Sequence, residues 1–118
     1  YIPKAVRASA GALFHVPVAV AAPAGETLDE LGRSGWRRVA TVARGGRPYD
    51  QVDLAGPCAL VLGSESHGLP GALDHRLDEQ VTIPMVSTSE SLNVAMAGTV
   101  ICFEAARQRR VRAGRGAA

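Results

Sequence analysis

Two loops of the sequence combine flexible backbone with side chains that can do chemistry. The first, residues 62–70, follows an apolar run and contains a carboxylate, Glu65, an imidazole, His67, and two serines. The second, residues 83–93, is rich in hydroxyl groups and leads into a predicted helix. Glycine in the first loop lets a ligand approach the backbone closely, and a helix start offers free backbone N–H groups. These loops are therefore the candidate binding site.

The common catalytic motifs do not fit the first loop. A serine nucleophile elbow requires serine where Glu65 stands, and no Gly-Lys-Ser/Thr follows for a phosphate-binding P-loop. The three histidines lack metal-ligand spacing with Cys58 and Cys102, so no metal site is predicted. Both cysteines sit in apolar runs and are expected to be buried, reduced thiols. Glu65 follows a predicted buried strand and is expected to be a site residue, whereas Asn93 is on local grounds equally a helix-start residue.

The elements that must position these loops alternate between strands and helices. The patterns predict strands over 16–21, 38–43, 58–62 and 80–84, and helices over 4–14, from Thr27, and over 91–110. The start at Thr27 rests on its capping-box spacing with Glu30, and the glycines and prolines of 44–57 indicate a loop. The 58–62 strand is apolar throughout, as at the centre of a parallel sheet. We therefore expect an α/β domain with a mainly parallel sheet flanked by helices, in which ligands gather beyond the carboxyl ends of the strands.

Composition and charge limit the class of protein. The 118 residues are 47% hydrophobic and 20% charged, as expected for one soluble globular domain over 1–118. No apolar stretch approaches the roughly 20 residues of a membrane span, so a cytoplasmic protein without a membrane partner is expected. The net charge of +2 is unevenly distributed, because five arginines and no acidic residue follow Glu104. This basic tail over 107–118 suits a nucleic-acid backbone and is equally consistent with a solvated terminus.

Two motifs and one further segment carry a resemblance to a known family. Residues 60–69, Leu-Val-Leu-Gly-Ser-Glu-Ser-His-Gly-Leu, resemble the second conserved motif of SpoU/TrmH-like RNA 2′-O-ribose methyltransferases. Residues 81–85 and 90–97, Val-Thr-Ile-Pro-Met and Glu-Ser-Leu-Asn-Val-Ala-Met-Ala, resemble the third. Residues 3–14 are similar to the segment that follows the family's first motif. The resemblance covers nearly the whole chain, and two motifs in order make it specific.

The resemblance implies a fold, a cofactor and a substrate. The fold is the α/β trefoil knot of the SPOUT superfamily, in which the C-terminal segment threads through a loop. The cofactor is S-adenosylmethionine, bound largely by main-chain groups, and the substrate is a ribose 2′-hydroxyl of ribosomal or transfer RNA. Family members work as homodimers with the last helix at the interface. The implied cofactor-binding residues are Thr41, Leu62, Gly63, Ile83, Met85 and Leu92, and the implied catalytic residues are Glu65 and Asn93, which orient an arginine and the target ribose.

One departure from the family pattern concerns the first motif. That motif, an Asn-x-Gly…Arg segment, supplies the arginine thought to activate the 2′-hydroxyl and is expected upstream of Tyr1, with the first strand and helix of the domain. Arg7 belongs to the following segment and does not take that role. The leading hypothesis is therefore the S-adenosylmethionine-binding part of an RNA methyltransferase domain whose front is missing. The alternatives are a non-catalytic knotted dimer or RNA-binding module, and an unrelated nucleotide-binding α/β protein.

Overall fold

The computed structural model describes residues 16–17, 23–63, 71–86 and 93–117. The predicted helix over 4–14 lies outside the described residues. Of the strand predicted over 16–21, only Val16 and Pro17 are described, and neither is in a strand.

Helix α1, Ala24–Arg33, starts three residues before the predicted Thr27. Pro23 precedes it in an extended conformation, and its carbonyl accepts the Thr27 N–H at 3.2 Å, so Thr27 lies in the first turn. The capping-box prediction is therefore wrong, because the proline sets the start by fixing the chain just before the helix. The helix ends at Arg33, and Gly35, with a φ of +85°, turns the chain into the first strand.

The described strands are β1 Arg37–Thr41, β2 Arg47–Pro48, β3 Cys58–Val61 and β4 Glu79–Thr82. They form one sheet in the order β2-β4-β1-β3, and every pairing among them is parallel. Val39 at the centre of β1 lies opposite Leu60 on one side and Glu79 on the other. The predicted parallel sheet flanked by helices is thus confirmed, and the knot stays a prediction of the resemblance.

Two predictions about the strands are corrected. The sequence does not predict β2, because Arg47 lies in a segment rich in glycine and proline; its pairing with Val81 of β4 makes it a strand. Among the described strands, β3 pairs with β1 alone and its residues are half-buried, so in the described part of the sheet it does not occupy the centre predicted for it. β1 and β4 do, with Val39 and Val81 at 0% exposure. An apolar run indicates that a strand is covered, but it does not identify the neighbouring strands.

The core lies between the sheet and helix α2, Val94–Ala117. Its fully buried cluster contains Val39, Val52, Leu54, Val81 and Ile101. Among the described residues, no helix is both long and apolar enough to cross a membrane. Ile101 is the contribution of α2 to this cluster, so the helix is fixed to the core in its N-terminal half.

Helix α2 continues past its predicted end at Arg110, so the basic residues 107–117 are helical. Gln108 holds this part of the helix to the body: its Nε2 donates to the Val52 carbonyl at 2.9 Å, and its Oε1 accepts the Leu54 N–H at 2.7 Å. Further bonds to the same loop are made by Arg109, to the carbonyls of Ala55 and Gly56, and by Arg112, to Asp53. These tertiary bonds extend the helix beyond the end of its apolar pattern.

The two cysteines differ in their surroundings. Cys58 at the start of β3 is half-buried, and burial raises the pKa of its thiol. Cys102 is exposed on α2, so the prediction that both thiols are buried is wrong. Ile101, the neighbour of Cys102, takes the core-facing position, and the helical rotation turns Cys102 away from the core.

Candidate functional site

The carboxyl ends of neighbouring strands bring the predicted cofactor residues together. Thr41 ends β1 and lies opposite Val81 of β4, while Leu62 and Gly63 follow β3 on the other side of β1. Ile83 follows β4 directly. Because neighbouring strands lie about 4.8 Å apart, groups from all three strand ends border one surface. We call this surface, formed by Thr41, Leu62, Gly63, Ile83 and Met85, the carboxyl edge.

Apolar side chains line much of the carboxyl edge. Leu62 is 42% exposed and Met85 is 37% exposed, although both are large and apolar. Ile83 is half-buried and packs against the core cluster, which fixes its position. Half-open apolar side chains can form the walls around a flat heterocycle, while backbone N–H and C=O groups bond to its polar rim. The edge is therefore suited to a mixed apolar and polar small molecule.

Helix α2 borders the carboxyl edge through Gly98. A Cβ atom at position 98 would lie 3.1 Å from Leu62 Cδ1, which is tighter than an ordinary carbon–carbon contact. The absence of a side chain therefore lets Leu62 lie directly against the helix. This contact joins the end of β3 to the second turn of α2, so the two elements position the edge together.

Asn93 lies immediately before α2 and caps it. Its Oδ1 accepts the Met96 N–H at 3.0 Å, and its carbonyl accepts the Ala97 N–H at 2.9 Å. This is the N-cap arrangement in which a side-chain oxygen satisfies a free N–H of the first turn. The side-chain NH₂ group of Asn93 has no hydrogen-bond partner among the described residues. The cap thus fixes the orientation of the Asn93 side chain.

A tight turn follows β1 and packs against β4 beside the carboxyl edge. Gly45 adopts a φ of +82°, and a Cβ at Gly46 would lie 2.9 Å from the Val81 carbonyl carbon. The Thr82 hydroxyl donates to the Ala43 carbonyl at 3.2 Å and fixes the turn against the strand. Thr82 and Gly46 therefore hold the turn beside the carboxyl edge, and the sequence motifs did not predict these contacts. The consecutive glycines at 45 and 46 were the available signal.

The structure describes six of the eight predicted site residues. Five of them form the carboxyl edge and the sixth, Asn93, caps α2. Glu65 and Leu92 lie outside the described residues, as does His67. No group of three or more His, Cys, Asp or Glu residues in the described ranges is placed to hold a metal ion.

Ion pairs fix the opposite ends of the strands. The Arg38 guanidinium donates to both oxygens of Asp78, at 3.0 and 3.2 Å, and these bonds lower the pKa of the Asp78 carboxyl. Arg37 pairs with Glu79 at 3.0 Å. Both pairs link the start of β1 to the start of β4. They stabilise the sheet at the end remote from the carboxyl edge.

Proteins of known family share this sequence pattern. Residues 1–103 match the model of the SpoU rRNA Methylase family. An uncharacterized tRNA/rRNA methyltransferase of Mycolicibacterium smegmatis is 42% identical over 104 residues, which are 88% of this chain and 33% of that protein.

Solved structures share the fold. The SpoU methyltransferase AviRb from Streptomyces viridochromogenes, in complex with the cofactor AdoMet, superposes with a TM-score of 0.83 and 39% identity over 94% of this chain and 46% of that one. An RNA 2′-O ribose methyltransferase superposes with a TM-score of 0.80 and 34% identity, over 92% of this chain and 42% of that one. The chain thus spans between a third and a half of the length of these relatives.

Proposed function

The chain belongs to the SpoU rRNA Methylase family, and from this premise we propose what its carboxyl edge does. The edge holds S-adenosylmethionine and presents the methyl group to a ribose 2′-hydroxyl of ribosomal or transfer RNA. The observation that carries the proposal is the pair of half-open apolar side chains, Leu62 and Met85, at the ends of parallel strands. The AdoMet complex of AviRb supports the cofactor, and the second relative, an RNA 2′-O ribose methyltransferase, supports the ribose hydroxyl.

The described residues of the carboxyl edge fit this cofactor. Leu62, Ile83 and Met85 wall the adenine and remove its ring faces from water. Gly63 has no side chain, so backbone groups approach the ligand closely. Bound S-adenosylmethionine supplies a methyl group on a sulfonium, which is a good leaving group. The protein is left with two tasks, positioning the ribose and helping to remove the hydroxyl proton.

Asn93 takes the positioning task among the described residues. Its Oδ1 is committed to the helix cap, so its NH₂ group is held in one orientation and donates to an oxygen of the target ribose. Glu65 takes the second polar role, orienting the arginine that the family motif supplies. The role of Glu65 rests on the motif, and that of Asn93 rests on both the motif and the cap.

We further propose that two copies of the chain associate through the outward face of α2. Met96 is 57% exposed and Phe103 is 72% exposed, and the exposed Thr99 lies between them at helical spacing. An exposed apolar stripe of this kind is typical of a partner surface. A second copy covers it symmetrically, as in the common two-fold dimers.

Methyl transfer from labelled S-adenosylmethionine to total RNA by the full-length protein tests the reaction. The label is expected in 2′-O-methylated nucleotides, identified after nuclease digestion. Asn93→Asp keeps an oxygen for the helix cap but removes the NH₂ donor, so it is expected to lower the rate about tenfold or more while thermal stability is unchanged. An Asn93→Asp protein as active as wild type contradicts the role given to Asn93.

The alternative function is a non-catalytic knotted dimer or RNA-binding module. It predicts that the full-length protein binds RNA but transfers no label to any nucleotide. If the label is found on a base rather than on a ribose, the methyltransferase activity is confirmed and the proposed specificity for the ribose is wrong.

A further inference from the structure

The C-terminal part of α2 is an exposed and strongly basic helix. Five arginines and no acidic residue follow Glu104 in the sequence, and the helix continues through all of them to Ala117. Every residue from Arg109 to Arg115 is exposed. These residues make almost two helical turns, so no face of this segment is buried. We call the segment Arg109–Arg115 the basic end of α2.

Tertiary bonds fix the direction of the basic end relative to the sheet. Arg109 donates to the carbonyls of Ala55 and Gly56, at 3.2 and 3.3 Å. Arg112 donates to Asp53 Oδ1 at 3.1 Å. All of these acceptors lie in the loop before β3. The basic end is therefore a fixed array of charges, so less conformational entropy is lost when it binds a ligand.

Acidic side chains near the basic end are already bound by arginines. Glu104 accepts from Arg107 at 2.6 and 2.9 Å, and Asp53 accepts from Arg112 at 3.1 and 3.3 Å. Each of these pairs cancels one positive charge of the helix. The hydrogen bonds to Glu104 and, to a smaller extent, the nearby charge of Asp50 raise the pKa of Arg107. Asp50 is thus one further negative charge close to the helix.

Positive charge remains at the basic end after these acids are counted. On the sheet side of the loop, Glu79 accepts from both Arg37 and Arg47, at 3.0 and 3.3 Å, so it cancels only one of their two charges. Three arginines of the basic end make no ion pair with a carboxylate in the part of the chain that the structure describes: Arg109, Arg110 and Arg115. Their charges exceed the one negative charge left near the helix, so the surface attracts anions.

Arg110 lies on the side of α2 that faces away from the core. It follows the core residue Ile101 by about two and a half helical turns, which places it on the opposite side of the helix. Phe103 lies about two turns before Arg110 on that same side, so the basic end begins beyond the exposed apolar stripe. Arg115 lies roughly 7.5 Å further along the helix axis than Arg110. Exposed guanidinium groups of this kind suit phosphate oxygens.

We propose that the basic end of α2 is an RNA-contact surface, on which Arg109, Arg110 and Arg115 bind backbone phosphates of a folded RNA substrate. The inference rests on the proposed function, which makes RNA the substrate. Asn93, at the start of α2, lies roughly 25 Å from Arg110 along the helix axis. An RNA that contacts both ends of α2 spans that distance, as an RNA stem does. Phosphate contacts at the basic end then position the RNA without reading its sequence.

Binding of a fluorescein-labelled RNA stem-loop to the full-length protein, followed by fluorescence anisotropy at increasing salt concentration, tests the proposal. The double variant Arg110→Ala/Arg115→Ala is expected to bind the stem-loop several-fold more weakly than wild type. The slope of log K against log salt is expected to be shallower by about 1.8, because each lost phosphate contact accounts for about 0.9. Arg110→Lys/Arg115→Lys keeps both charges and is expected to keep the slope.

Arg33→Ala is the matched control for Arg110→Ala, because Arg33 is an exposed arginine in the last turn of α1. Its affinity for the stem-loop is expected to stay within about twofold of wild type. A double variant that binds the stem-loop as tightly as wild type overturns the proposal, and so do equal losses for Arg33→Ala and Arg110→Ala. If the double variant loses binding only to phosphatidylglycerol vesicles, the partner is a membrane surface and the proposal is wrong.

Cofactor calorimetry separates this proposal from the function on which it rests. If S-adenosylmethionine binds but the double variant keeps the wild-type affinity for the stem-loop, the proposal for the basic end alone fails. If stem-loop binding depends on Arg110 and Arg115 but no methyl donor binds, the basic end stands as an RNA-contact surface and the proposed methyl transfer fails.

Discussion

Gly46 lies against the backbone of β4 with no room for a side chain. A Cβ there would lie 2.9 Å from both the Gln80 carbonyl oxygen and the Val81 carbonyl carbon, and neither backbone atom can rotate away. The turn after β1 and the strand it crosses are therefore in direct contact. Directly after this contact the chain forms β2, which pairs with β4 on the side away from β1.

Gly46→Ala is expected to lower the free energy of unfolding by about 1–3 kcal/mol, because the turn or β4 must shift to admit the methyl group. Urea denaturation measures it. Gly56→Ala is the matched control, since a Cβ at Gly56 meets nothing within 4 Å, and its effect is expected to stay below about 0.5 kcal/mol. Equal effects of the two substitutions would mean that the close approach at Gly46 is not a constraint.

Asn93 shows how far a single residue can be predicted from sequence. Its position before a periodic apolar run fits a helix start, and its place in the motif fits a site residue. The structure shows the first of these, because the Asn93 oxygen caps the helix, and the site role stays a prediction. Which atom takes which task depends on the local backbone geometry, so the sequence alone leaves it open.

At the scale of secondary structure elements, the contact of α2 with the loop over 52–56 depends on Gln108. Its amide bonds to Val52 and Leu54 and also donates to Glu104 at 3.0 Å. Val52 and Leu54 are core residues. Helix α2 therefore holds in place the loop before β3, which contributes Val52 and Leu54 to the core.

Gln108→Ala is expected to lower the free energy of unfolding by about 1–3 kcal/mol, because it leaves the Leu54 N–H and the Val52 carbonyl without their partners. Thermal and urea denaturation followed by circular dichroism measure the loss. Arg110→Ala, on the same helix and exposed, is expected to change stability by less than about 0.5 kcal/mol. A Gln108→Ala protein as stable as Arg110→Ala would contradict the account of this contact.

The ionisation of Glu104 on α2 makes the free energy of unfolding depend on pH. It is 8% exposed, and Arg107 donates to it at 2.6 and 2.9 Å. These hydrogen bonds lower the pKa of the Glu104 carboxyl below its ordinary value of 4.5. Since the folded-state pKa is the lower one, the stabilisation is fully present above the unfolded-state pKa and is lost as pH falls through the folded-state pKa. Asp78 shifts in the same direction through its bonds to Arg38.

The free energy of unfolding is therefore expected to fall progressively as pH is lowered below about 4.5. Urea denaturation between pH 7 and pH 3 measures the slope. Glu104→Gln is expected to be less stable than wild type at pH 7, because a neutral amide binds Arg107 more weakly, and to show a shallower fall in acid. A slope equal to that of wild type would show that Glu104 does not contribute to the acid sensitivity.

The elements themselves were predictable where local pattern and tertiary environment agree. The runs around Val39, Leu60 and Val81 are strands because apolar β-branched or aliphatic residues dominate them. β2 was not predictable, since Arg47 and Pro48 become a strand only through pairing with β4. Past Arg110, Arg112 ties α2 to Asp53, in a loop more than 50 residues earlier, and no helical pattern records this bond.

At the scale of the whole molecule, the carboxyl ends of the parallel strands gather a site from distant parts of the sequence. That the motifs around Leu62 and Ile83 meet at one edge was predictable, because the carboxyl ends of parallel strands lie on the same side of a sheet. The surroundings of Arg109 were not predictable, since they arise only when α2 packs against the loop before β3.

The exposed apolar face of α2 predicts that the chain associates with a second copy in solution. Phe103→Asp places a charge on this face and is expected to weaken self-association at least tenfold, measured by light scattering over a concentration series. Val86→Asp is the control, because Val86 is fully exposed and lies outside α2. A Phe103→Asp protein that associates as strongly as Val86→Asp would contradict the proposed dimer face.

Titration calorimetry with S-adenosylmethionine tests most directly whether the carboxyl edge holds the methyl donor. We expect one site per chain, and Met85→Ala to weaken binding about fivefold or more by removing part of the apolar wall. Val86→Ala changes the next residue, whose side chain is fully exposed, and is expected to leave the affinity unchanged. No binding by the full-length protein, or equal effects of Met85→Ala and Val86→Ala, would contradict the account.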